Sequence, residues 1–219
     1  MDISPYTLLL VVHIAVGTLG TVGGVVAMLT RKGSLWHRRA GRVFAVSMLA
    51  IIGLALVMSV MRPNAFLFMV GLFSAYLVAV GWRAAVVRDG RPRRLDWTIA
   101  WSMAGAGLVM IGWGVAGMVT GASYPAPVLI VFGLIGGAFA LGDLRLFRAG
   151  GARGVDRIAR HLGHMTGGFI AALTAVLVVN GGALPDLVRW LAPTVLLTPV
   201  IVTWRVRLAR DARPARATA

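Results

Sequence analysis

Seven apolar stretches follow one another along this chain, each close to the length that crosses a lipid bilayer. A spanning helix needs about 20 largely apolar residues, because the hydrocarbon layer is about 30 Å thick and a helix rises about 1.5 Å per residue. The stretches are Tyr6–Leu29, Val43–Met61, Ala65–Val87, Trp97–Gly121, Pro127–Phe147, Leu162–Asn180 and Val188–Trp204. Lipid offers no hydrogen bonds to free backbone, so each stretch must satisfy itself as a helix. The strand-length alternation of a membrane barrel is absent. The expected fold class is an all-α integral membrane protein, a seven-transmembrane-helix bundle. It occupies residues 1–204 as one domain, with a basic tail over 205–219.

Composition agrees. Of 219 residues, 58% are hydrophobic and 13% charged, against about 45–50% and about 25% in a soluble domain. The lipid bilayer is the partner this implies. The first eight residues hold Asp2 and no basic residue, so the first stretch reads as a retained span and not a secretory signal.

The charges check the count independently. Arg31, Lys32, Arg38, Arg39 and Arg42 lie between spans one and two. Arg83, Arg88, Arg91, Arg93 and Arg94 close span three and fill the next loop. Arg145, Arg148, Arg153, Arg157 and Arg160 separate spans five and six, and Arg205, Arg207, Arg210, Arg213 and Arg216 form the tail. The opposite connections carry only Arg62 and Arg189, a division of 20 to 2 among the 22 basic residues. By the positive-inside rule the N-terminus is outside and the C-terminus cytoplasmic. Removing one span would break the alternation. The net charge of +15 therefore indicates orientation and not nucleic-acid binding, for which no basic folded domain is left. Lys32 is the one lysine, and with abundant Ala, Gly and Val this points to a GC-rich bacterial genome and a bacterial cytoplasmic (inner) membrane.

Cysteine is absent, which excludes disulfides, thiolate metal sites, iron–sulfur clusters and cysteine nucleophiles. Glutamate is absent too, and there is no phosphate-binding Gly-rich loop or His-Glu-x-x-His. Ionisable groups inside a membrane are costly, so the few present are candidate functional residues. His13 sits in span one, roughly 10 Å below its outer end. Asp143 closes span five at the cytoplasmic end, His161 and His164 open span six there, and His37 lies in the first basic segment. Neutral imidazoles with one carboxylate suit a divalent metal, giving His37, Asp143, His161 and His164 as candidate ligands. A histidine pair drawn from His37, His161 and His164 would instead hold haem b from two sides. His13 lies roughly 15–20 Å from that level, too far to share one iron with His164, and is a candidate proton site. The plainer alternatives are interfacial histidines bonded to backbone, and Asp143 paired with Arg145 or Arg148. Gly20-x-x-x-Gly24, Gly117-x-x-x-Gly121 and Gly133-x-x-x-Gly137 are sites of close helix packing, within the chain or in a homo-oligomer.

Lys32-Gly33-x-x-x-His37-Arg38-x-x-Gly41-Arg42 resembles a motif of small predicted bacterial multi-pass membrane proteins classed as a domain of unknown function. The resemblance extends through His13-x-x-x-Gly17, Asp143-Leu144-Arg145, His161-x-x-x-Met165-x-Gly167 and Trp190-Leu191-x-Pro193-Thr194. It implies the same architecture and favours His37 with His161 over His161 with His164, since His164 departs from the pattern. It implies no activity. The residues leave three functional readings: metal or haem binding in membrane redox chemistry, a small-solute or proton-coupled transporter using His13 and Asp143, and a non-catalytic assembly factor.

Overall fold

The computed structural model describes residues 4–211. Its seven helices are α1 (Pro5–Leu29), α2 (Leu35–Met61), α3 (Ala65–Val86), α4 (Arg94–Thr120), α5 (Ala126–Arg148), α6 (Gly154–Asn180) and α7 (Asp186–Asp211). All seven are long and apolar enough to cross a membrane. The chain is thus an all-α, multi-pass integral membrane protein. Large aliphatic side chains cover its outside; Val119 and Val179 are 82% and 80% exposed. Water would not tolerate such a surface, and lipid is its natural solvent.

Three helices start or end well outside the expected spans. α2 begins at Leu35 and α6 at Gly154, so His37, Arg38, Arg39 and Arg42, and likewise Arg157 and Arg160, stand on helix and not in loops. α7 likewise continues past Trp204 through Arg205, Arg207 and Arg210. Hydropathy marks lipid depth, whereas a helix continues wherever its residues favour it and its ends are capped; arginine is a good helix former. Ser34 supplies the cap for α2, its Oγ accepting from His37 N at 3.2 Å. Ser34→Ala should lower stability in detergent by about 1 kcal/mol, read as a small fall in the thermal midpoint. Asp2, Arg213 and Arg216 lie outside the described residues.

One end of the bundle gathers the α1–α2, α3–α4 and α5–α6 connections with the C-terminal part of α7. There Lys32 Nζ stands 4.7 Å over the Trp204 ring, and Ala152 N donates to Gly90 O at 3.1 Å. We call it the basic end. Lys32 also donates to Met28 O and Ala27 O, capping α1, and partial burial draws its pKa below the ordinary lysine value. At the other end Arg62 stacks over Tyr6 at 4.0 Å, and Phe66 meets Tyr124 and Trp190.

α3 is the central element, since it contributes to both main cores. Phe73, Tyr76, Leu77 and Val80 pack with Met103 and Met110 of α4 and Leu129 and Phe132 of α5. Val78 packs with Phe44, Met48 and Ile52 of α2 and Phe169 of α6. Glycines set the closest approaches, as expected where backbones must meet without a hydrophobic drive between helices. A Cβ at Gly107 would lie 2.9 Å from Gly133 O, and one at Gly133 2.7 Å from Gly107 O, so α4 and α5 touch backbone to backbone. Gly20 packs on Ser47 of α2, Gly24 on Phe169 and Phe44, and Gly117 on Tyr124. These expected packing glycines meet neighbours inside the chain. Gly121 is a left-handed helix cap, and nothing stands against the Cβ position of Gly121 or Gly137.

Candidate functional site

The histidines of the basic end fall into two neighbouring groups. The first joins α2 and α6. His37 and His161 face each other with ring centroids 6.4 Å apart and planes at 86°. His37 Nδ1 lies 3.0 Å from Ala27 O of α1, and His161 Nδ1 lies 2.9 Å from Gly81 O of α3. A carbonyl oxygen can only accept, so each Nδ1 is the protonated donor. In the neutral ring each Nε2 then carries a lone pair. Anchoring of one imidazole nitrogen on a backbone carbonyl is the usual way a metal-binding histidine is oriented. Close packing makes the arrangement possible: Gly81 lets α6 approach so nearly that an added Cβ would sit 2.8 Å from Met165 N.

The second group joins α3, α5 and α6. Tyr76 Oη donates to Asp143 Oδ2 at 2.8 Å. Arg160 Nε donates to Asp143 Oδ1 at 2.7 Å and Nη2 to Oδ2 at 3.3 Å. His164 Nδ1 donates to Arg160 O at 2.9 Å, while its Nε2 lies 3.3 Å from Tyr76 Oη and 3.3 Å from Asp143 Oδ2. The rings of Tyr76 and Phe139 close over the imidazole, with centroids at 5.5 and 4.7 Å. Arg160 also stands 4.9 Å over Phe147.

Among the described residues no three His, Cys, Asp or Glu side chains are grouped to hold a metal ion. The four expected ligands therefore do not form one cluster. His37 pairs with His161, and His164 pairs with Asp143. His161 and His164 are three residues apart on α6 but turn to different partners, His161 to His37 of α2 and Gly81 O of α3, His164 to Tyr76 of α3 and Asp143 of α5. Asp143 takes its arginine from α6, not from Arg145 or Arg148. Arg145 is two residues on, which places it away from Asp143 on the helix surface. His13 is half-buried, with its Nδ1 enclosed and without a hydrogen-bond partner. It lies fourteen residues before Ala27, about 21 Å along α1, and takes part in neither group.

Tyr76 was invisible as a site residue, since a tyrosine within an apolar span reads as core. The signal for it was a hydroxyl at the depth of the span-embedded aspartate. Two further arginines also serve the fold. Arg83 makes a bidentate pair with Asp96, both contacts at 2.8 Å, across the α3–α4 turn. Arg157 donates to Ala84 O at 2.8 Å and Ala85 O at 3.3 Å, satisfying carbonyls at the end of α3.

No family model matches the chain, and neither a curated protein nor a solved structure does. The motif resemblance thus stands on its residues alone. The class defined by fold and composition is a multi-pass α-helical membrane protein.

Proposed function

We propose that this is a metal-binding protein of the bacterial inner membrane, with the basic end in the cytoplasm, whose His37–His161 pair holds a transition-metal centre for membrane redox chemistry. One observation carries the reading: two imidazoles on different helices, each tied through Nδ1 to a backbone carbonyl, with ring centroids 6.4 Å apart. A metal bound to one nitrogen of each ring, at about 2 Å per bond, separates ring centres by roughly 6 Å. Imidazole suits iron, copper and zinc. The pair would supply two protein donors to such a centre. His37 and His161 would hold haem iron or a bare ion through their free ring nitrogens, and the metal would supply one-electron chemistry.

The test is an absorption spectrum with elemental analysis on one sample of purified protein. A Soret band with stoichiometric iron is expected, and it should fall at least tenfold in His37→Ala and in His161→Ala. His13→Ala should keep it. A stoichiometric metal without a Soret band, lost in the same two variants, identifies a bare ion on the same pair. Protein with neither metal nor porphyrin, after expression with both supplied, overturns the reading.

A further inference from the structure

The second polar group presents a hydrogen-counting problem that the metal centre does not involve. Tyr76, Asp143 and His164 are 4%, 3% and 3% exposed, so bulk water satisfies none of them. The Arg160 carbonyl fixes one ring proton of His164 on Nδ1. Nε2 then points at two oxygens, each 3.3 Å away. The Tyr76 hydroxyl has a single hydrogen, and its shorter contact, 2.8 Å, is with Asp143 Oδ2. Without another proton, the Nε2 lone pair faces the lone pairs of the Asp143 carboxylate and the Tyr76 oxygen in a dry interior, where unpaired polar atoms are costly. One added proton between Nε2 and these oxygens completes every bond. The carboxylate already receives hydrogens from Tyr76 and twice from Arg160, so that proton belongs on the imidazole.

We propose that Tyr76, Asp143 and His164 form a proton-binding site inside the helix bundle, in which the bound proton rests on His164 Nε2 facing the Asp143 carboxylate. Loading is a simple addition: hydrated H⁺ gives its proton to the Nε2 lone pair, water is released, and neutral imidazole becomes imidazolium. The Asp143–Arg160–His164 set changes from net zero to net plus one. Tyr76 faces His164 from α3, Asp143 and the Phe139 ring face it from α5, and Arg160 and His161 precede it on α6. A small opening lies next to the Arg160 side of the group. A partly open cavity of about 20 Å³, the size of a single water, lies at the basic end among Arg83, Asp96, Arg157 and Arg160. Arg160 thus touches the cavity on one side and Asp143 on the other. This separates the role from simple ion pairing, which Arg160 and Asp143 would achieve without a histidine.

The test is nitrogen NMR of the four isotopically labelled histidines in the full-length protein in micelles, followed across pH. His164→Gln assigns its signal, and single alanine changes at the other three histidines assign it by elimination if that variant does not fold. Both His164 nitrogens are expected to carry protons in the folded wild type, as the oxygens around them require. Asp143→Asn removes the carboxylate that the Nε2 proton faces and is expected to leave His164 with a proton on Nδ1 alone under the conditions where the wild type carries two. Purely structural packing would not set the number of ring protons. A His164 that keeps one proton, on Nδ1, at every pH where the protein stays folded overturns the proposal. So does a doubly protonated His164 that Asp143→Asn leaves unchanged.

Discussion

Asp143→Leu is expected to destabilise the bundle by about 3–5 kcal/mol, the usual cost of leaving a buried charge without its partner. The Arg160 and His164 side chains are only 10% and 4% exposed, so both lose their main partner in a largely dry setting once the carboxylate is gone. Tyr76 would lose its short acceptor as well. Unfolding in mixed micelles of increasing denaturing detergent would read the loss directly. The double variant Asp143→Leu/Arg160→Met should recover most of it, because a buried ion pair removed whole often leaves stability unchanged or improved. If the single change costs under about 1 kcal/mol, the guanidinium has found another acceptor and the pair is not what holds α5 to α6.

Gly81→Val is the second large effect. A Cβ there would lie 2.7 Å from Met165 Cγ and 2.8 Å from both Met165 Sδ and Met165 N. The side chain could swing away, but the α6 backbone cannot, so the helices must separate. Overpacking of this kind costs about 1–3 kcal/mol. Here the functional loss should exceed the stability loss, because Gly81 O also accepts from His161 Nδ1. Anchors of this kind are worth about 10–100-fold in metal affinity, and metal content should fall accordingly. Gly137→Ala is the matched control, since nothing stands within 4 Å of its Cβ position; it should bind metal as wild type does. Equal metal content in Gly81→Val and wild type would show that the carbonyl anchor does not govern the His37–His161 pair.

Much of this architecture is readable from the amino-acid sequence alone. Apolar length reports span number well, because lipid punishes every departure from it, and the arginine clusters provided a second count. The helix starts at Leu35 and Gly154 were not readable by that rule, since the added turns are polar and hydropathy records depth and not winding. The site was half legible. His37 and His161 could be matched by motif, and both stand in one group. The pairing of Asp143 with Arg160 could not be, because it depends on how α6 is rotated against α5. Nearness in sequence suggested Arg145 and Arg148, yet residues two apart on a helix look in different directions. Tyr76 was missed for a related reason: burial of a hydroxyl becomes informative only when its partner's depth and facing are known.

The placement of partners along the chain has a consequence for biosynthesis. Arg157, Arg160, His161 and His164 all belong to α6, which leaves a ribosome after the first five of the described helices. Until it arrives, Asp143 has no cation from α6, the last carbonyls of α3 lack their arginine donor, and His37 lacks its partner ring. A nascent chain of five helices is thus apolar enough to enter the bilayer but carries an unneutralised acid near its basic edge. Arrival of α6 meets all three needs in one step, and α7 then lies chiefly against it. Completion of the polar groups is in this way tied to the arrival of α6, and a chain that stops before it leaves Asp143, His37 and the end of α3 without these partners.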